Sequence, residues 1–212
     1  MERMGKPDKE NSSGEEQGKQ KKKFPRVEKR REKIKKNILE LAKKKFANEN
    51  PYIVKFETFA EEVEISRASL YSYFDSKEEI LEEILKPVLE ELIEKYEILL
   101  KNLKNETPLQ IIENLIEILI QAKEHHQLSL VVLSKLLELN DHVLTQNPLY
   151  HRMLEVQQTI LEKIEKELKF PKEVASQLLV KCGLSLINLL FGFGLPESRK
   201  LLKETIKKLI SK

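Results

Sequence analysis

Apolar residues recur at intervals of three and four along most of the chain, the period of an α-helix, and no stretch alternates as a half-buried strand would. Ile34, Ile38, Leu41, Ala42 and Phe46 share one side of a first helix over 26–46, which has to stop before Asn50-Pro51. Phe56, Phe59, Ala60 and Val63 mark a short second helix, 56–63. After a break at Glu64-Ile65, Ser66 is placed to cap a third helix, 67–74, by accepting the free backbone N–H groups of its first turn. Ser76 and Glu79 have the spacing of a capping box that opens a fourth helix. Its apolar stripe runs from Ile80 to Leu103, and Pro87 is placed to kink it.

Farther along, Thr107-Pro108 and Asn147-Pro148 each set a cap residue before a proline at the first helical position. Helices are predicted there over 108–124 and 148–169, with another between them at 127–139. Pro171 and Pro196 open two more, reaching 192 and 210. The pattern therefore predicts an all-α chain of about nine helices. Residues 1–25 are charged and nearly free of large apolar side chains, so they are expected to form a disordered tail. Residues 26–76 make a trihelical unit, and 77–212 a larger helical domain.

Composition narrows the classes. With 40% hydrophobic residues in 212, the chain can bury a sizeable core. The single Cys182 excludes an internal disulfide and a four-thiolate metal site, and suits a reducing compartment. The uncharged stretch from Cys182 to Leu195 is shorter than the roughly 20 residues of a membrane span. The N-terminus has no apolar signal core. A cytoplasmic protein without membrane association is expected. A net charge of +3 is too mild to indicate nucleic acid. Its distribution matters more: Lys21, Lys22, Lys23, Arg26, Lys29, Arg30 and Arg31 form either a basic arm that reaches a neighbouring groove or a solvated tail.

A short helix, a tight break and a second short helix, braced by a longer first one, is the layout of a DNA-binding unit whose last helix enters the major groove. Phe56, Phe59, Ala60, Val63, Ile65, Leu70 and Phe74 can close its core, which leaves Arg67, Ser69, Tyr71, Ser72 and Tyr73 outside. An arginine there can reach guanine edges, and the hydroxyls can reach phosphates or bases.

The segments 38–42 (ILELA), 59–66 (FAEEVEIS) and 70–81 (LYSYFDSKEEIL) resemble the N-terminal signature of the TetR family of regulators. The resemblance spans about 34–85. It implies DNA-facing roles for Ser66, Arg67, Ala68, Ser69, Tyr71, Ser72 and Tyr73, and a phosphate contact for Lys77 at the start of the fourth helix. The chain departs from the family pattern in three places. Glu64 stands where glycine is usual in the turn, which implies local strain or a different turn. Ala68 replaces a glycine or proline. Lys55 replaces a phosphate-binding threonine and is its electrostatic substitute. Glu57, Glu61 and Glu62 on the second helix would repel a nearby DNA backbone.

The helix over 171–192 is apolar all round, so it has to be buried on every side. Paired with the last helix, and duplicated by a twofold axis, it resembles the family's four-helix dimer interface. Leu178, Cys182, Gly183, Ser185, Leu186, Leu189, Leu202, Ile206 and Leu209 are the candidate interface residues. Candidate effector contacts are Tyr96, His125, His126, Tyr150, Met153 and Gln157, which would suit a small, mostly apolar molecule. The expected partners are thus a palindromic double-stranded DNA operator, a small-molecule effector and a second copy of the chain, with repression as the family's usual output.

No enzyme pattern emerges. No histidine has glutamate three residues earlier, as a di-iron bundle wants, and there is no P-loop. Gly192-Phe193-Gly194 follows a helix, whereas a phosphate cradle would precede one. Adjacent His125 and His126 would diverge on a helix, so neither a joint metal site nor any cofactor is expected. The alternative from a different class is a helical protein-interaction module that keeps the fold without reading DNA.

Overall fold

The computed structural model describes residues 25–192 and 197–212. Lys21–Lys23 and the Phe193-Gly194 pair fall outside that range, as does nearly all of the predicted tail. Among the described residues ten α-helices form and no strand does. In the N-terminal unit α1 spans Pro25–Asn48, α2 Thr58–Glu62 and α3 Arg67–Tyr71. The larger part holds α4 (Lys77–Asn102), α5 (Pro108–His125), α6 (Gln127–Glu138), α7 (His142–Thr145), α8 (Pro148–Glu162), α9 (Lys172–Gly192) and α10 (Ser198–Ile210).

Caps explain most of the helix starts. Thr107 and Gln110 close a full capping box at α5, each side chain bonded to the other's backbone N–H. Asn147 accepts from Leu149 and Tyr150 ahead of α8. At α4 the Ser76 hydroxyl accepts from the Glu79 N–H, but the Glu79 carboxylate takes the N–H of Asp75, one residue before the cap. The helix not predicted, α7, is only four residues long and is started by the Asp141 carboxylate, which accepts from Val143 N at 2.7 Å. The predicted helix over 148–169 ends at Glu162; a 3-10 turn, Glu165–Glu167, follows. The α8–α9 connection is tied to the C-terminal residues through Lys169 N to the Ile210 carbonyl and Lys212 N to the Glu167 carbonyl.

The long α4 belongs to both halves. It continues through Pro87, which has no N–H to give the Glu83 carbonyl. Ile80, Leu81, Ile84, Leu85, Leu92, Tyr96 and Leu99 are buried along α4, and it packs on α1, α5, α6 and α8. The two halves also meet directly, since α1 packs on α6 and Lys135 of α6 donates to the Glu49 carbonyl at 3.1 Å.

One helix, α9, is long and apolar enough to cross a membrane by length and composition, contrary to the shorter uncharged stretch considered above. It packs on α5, α6, α8 and α10, with 44% of its most apolar window buried. Within the single subunit it is not enclosed on every side: Val174 and Leu189 are exposed.

Candidate nucleic-acid interface

The N-terminal unit closes on Phe46, Phe59, Leu70 and Phe74, all essentially inaccessible, with Phe46 and Phe59 stacked edge to face at 5.5 Å. Helix α2 ends in a tight Schellman turn, with Ile65 N bonded to the Ala60 carbonyl and Glu64 N to the Glu61 carbonyl. That geometry puts Glu64 at φ 58°, the left-handed region where a Cβ is strained. The missing glycine therefore leaves the turn unaltered and leaves Glu64 strained within it. Glu64→Gly is expected to raise the unfolding free energy by about 1 kcal/mol, the left-handed cost less glycine's greater chain entropy. Urea unfolding checks it, and a loss of stability would contradict the strain.

Beyond the turn Ser66 caps α3 by accepting from Ser69 N at 3.1 Å. Leu70 anchors the helix, while Arg67, Ala68, Tyr71 and Ser72 face solvent. Regular α-helix ends at Tyr71, and Ser72 to Phe74 continue as a turn bonded back to Ser69 and Leu70. Arg67 is held only by Glu61 at 3.7 Å between two largely exposed side chains, an interaction too weak to stop it from swinging. The Ser66 and Ser69 hydroxyls bond each other at 2.8 Å, which leaves one hydroxyl hydrogen to offer. Ser72 donates to the Ser69 carbonyl, and the Tyr71 ring rests edge-on against Phe56.

Helix α1 braces this surface from behind. The Arg31 guanidinium donates to the Ser72 carbonyl at 2.7 Å and lies over the Tyr73 ring. Arg31 is thus part of the scaffold rather than of a free arm, and Arg26, Lys29 and Arg30 are exposed on the same helix. Lys55 is exposed in the loop before α2. Lys77 is placed differently from expectation: its ammonium donates to the carbonyls of Pro51 at 2.8 Å and Val54 at 3.4 Å, clamping the α1–α2 loop. The acidic face of α2 is partly neutralised within the unit. Lys45 pairs with Glu62 at 2.7 Å, a bond that raises the lysine pKa.

In the larger part, the candidate effector residues do not form one site. Tyr96, Met153 and Gln157 are wholly buried in the core, and Gln157 joins the Tyr96 hydroxyl to Ser176. His125 and His126 both reach the Glu91 carboxylate at 2.8 Å, because α5 stops at His125 and the next residue turns out of the helix. Burial would raise the Glu91 carboxyl, but bonds from Lys95, His125 and His126 outweigh it and bring the pKa to about 2. Tyr150 alone among the candidates lines the cavity that lies among α6, α7, α8 and α9.

The candidate interface residues also separate. Leu178, Cys182, Ser185, Leu186, Leu189 and Leu209 are exposed or half-buried, whereas Leu202 and Ile206 are buried in their own subunit. Gly183 lies inside too, where an added Cβ would stand 3.2 Å from Leu119.

A short helix, a left-handed turn and a solvent-facing second helix, held from behind by α1, define a helix-turn-helix DNA-binding unit. Residues 38–84 match the family model described as bacterial regulatory proteins, tetR family. Over those residues the chain therefore resembles the DNA-binding unit of that family. No curated protein matches the sequence. Solved structures share the fold over most of the chain. The ketosteroid transcriptional regulator KstR2 of Mycobacterium tuberculosis superposes with a TM-score of 0.60 at 19% identity, over 86% of this chain and 95% of that one. NalD, the secondary repressor of the MexAB-OprM multidrug efflux pump in Pseudomonas aeruginosa, gives 0.60 at 19%, over 87% and 98%. SmeT in complex with triclosan gives 0.57 at 16%, over 84% and 92%.

Proposed function

We propose that the chain is a homodimeric repressor that reads a palindromic operator with Arg67 to Tyr73 and releases it when a small, mostly apolar effector occupies the larger domain. The observation that carries this reading is the exposure of Arg67, Ala68, Tyr71 and Ser72 on a helix anchored by Leu70 and braced by Arg31. An arginine free to turn suits the bidentate contact to guanine O6 and N7. Dimerisation is supported by the apolar face left open on α9 and α10, where Val174, Leu189 and Leu201 are each more than two-fifths exposed. A twofold pair of α3 helices would then meet half-sites about one helical turn apart or a multiple of it. Repression and effector release are in keeping with two proteins of the same fold, NalD, a repressor, and SmeT, which binds triclosan.

A binding titration against genomic fragments at several salt concentrations tests the reading. Affinity is expected to fall steeply with added salt as phosphate contacts are lost. Salt-insensitive absence of binding would instead favour a protein-interaction module. On the operator so selected, Arg67→Ala is expected to relax preference for the native base pair by about 1–3 kcal/mol. Competition between the operator and a duplex substituted at that base pair reads the change, and an unaltered preference would remove Arg67 from base recognition.

A further inference from the structure

A cavity of about 260 Å³ lies among α6, α7, α8 and α9, slightly below the roughly 300–1,000 Å³ common for small-molecule sites. Leu136, Leu137, Leu144 and Leu154, all buried, make its apolar wall. Most of its polar groups are already engaged. His151 Nε2 lies 2.7 Å from the Thr145 carbonyl, and burial raises the pKa of the Tyr150 phenol, with Gln177 offsetting part of the rise. The buried Asp141 carboxylate accepts from Val143 N, and its proximity raises the pKa of the Tyr52 phenol. Lys181 differs, being exposed at the α9 side with no ion-pair partner among the described residues.

The position of the cavity matters as much as its chemistry. Asp141 lies in the α6–α7 turn, next to Asn140, which holds a left-handed φ of 49°. Tyr52 belongs to the α1–α2 loop of the DNA-binding unit, and Lys135 of α6 holds the Glu49 carbonyl of the same loop. One rim of the cavity therefore adjoins the part of the chain that carries α3, and Lys135, next to the rim residue Leu136, is bonded to it.

We propose that this cavity takes a small amphipathic carboxylate, with its anion on Lys181 and its hydrocarbon against the leucine wall, and that Asp141 and Tyr52 relay its occupancy to the DNA-binding unit. Asp141 repels an anion beside it, so the polar end of the ligand is directed to α9 and the hydrocarbon end to Leu144 and the α6–α7 turn. Pressure there shifts Asp141 away from Tyr52. The relay rests on the regulator reading above, whereas the binding itself does not.

Octanoate, with octan-1-ol as its uncharged match, is titrated into the full chain by calorimetry. Octanoate is expected to bind, and Lys181→Met to weaken it about tenfold or more, as for loss of a charge-assisted bond, with octanol unaffected. No octanoate binding, equal affinity in Lys181→Met, or octanol binding as tightly as octanoate overturns the site. A labelled operator duplex reads the relay by anisotropy. Octanoate is expected to lower operator affinity in the parent protein but not in Tyr52→Phe, which still binds octanoate. A normal response in Tyr52→Phe overturns the relay. Failure of the ligand-free protein to bind any operator removes the regulator reading and the relay with it, and leaves the calorimetric result standing.

Discussion

Gln157→Leu is expected to lower the unfolding free energy by about 2–4 kcal/mol, because it strands two buried hydroxyls without adding a cavity. The Gln157 amide donates to the Tyr96 hydroxyl at 3.1 Å and its carbonyl accepts from Ser176 at 2.5 Å, and none of the three residues is accessible to water. Burial also pushes the Tyr96 phenol far up, so the hydroxyl stays neutral and needs a partner rather than ionising. Urea unfolding of the single variant, set against Tyr96→Phe/Gln157→Leu/Ser176→Ala, separates the unmet bonds from any change in packing. The triple variant should recover most of the loss, since removing all partners together leaves nothing unsatisfied. Equal destabilisation in both would show that packing, not the polar chain, is responsible. The network fixes the register of α8 between α4 and α9, the helices that join the DNA-binding unit to the open apolar face.

Leu189→Glu is the second substitution with a large expected effect. Leu189 is 54% exposed on α9, on the same side of the helix as Leu178 and Leu186, the face proposed to meet a second copy. A carboxylate there costs the lone subunit little, because the position is already wet. In a twofold interface it would place two like charges in an apolar seam. The variant is expected to sediment as a folded monomer and to bind operator about 10²–10⁴-fold more weakly, the second half-site no longer being delivered at high effective concentration. An unchanged dimer would move the interface elsewhere. Leu201→Glu, at 46% exposure on α10, tests whether the seam extends to the last helix.

Much of the fold is legible in the sequence because helix starts are local. Thr107-Pro108 and Asn147-Pro148 cap the helices they were expected to cap, and the spacing of Phe59, Leu70 and Phe74 places all three in the core of the N-terminal unit. The strain at Glu64 was also readable, from a glycine absent where the turn needs a left-handed residue. What sequence reading missed depends on contacts between distant residues. Arg31 reaches Ser72 across 41 positions, and Lys77 reaches Pro51 across 26, with nothing in either local pattern to announce the partner. Periodicity likewise cannot divide one apolar stripe between a subunit's own core and an open face. Leu202 and Ile206 therefore looked like interface residues and prove to be core. The two histidines were expected to diverge on a helix, and they converge on Glu91 because the helix ends between them.

The hold of α1 on the back of α3 has one further consequence. With the Arg31 guanidinium bonded to the Ser72 carbonyl and laid over Tyr73, a tilt of the first helix carries the reading head along as a unit. Signals arriving from elsewhere in the molecule would then alter how far apart two heads stand, while the chemical face each offers to base pairs stays the same. On the proposed reading, half-site preference and responsiveness would then be separately tunable traits, one written in the side chains of a single helical turn and the other in whatever sets the span between copies.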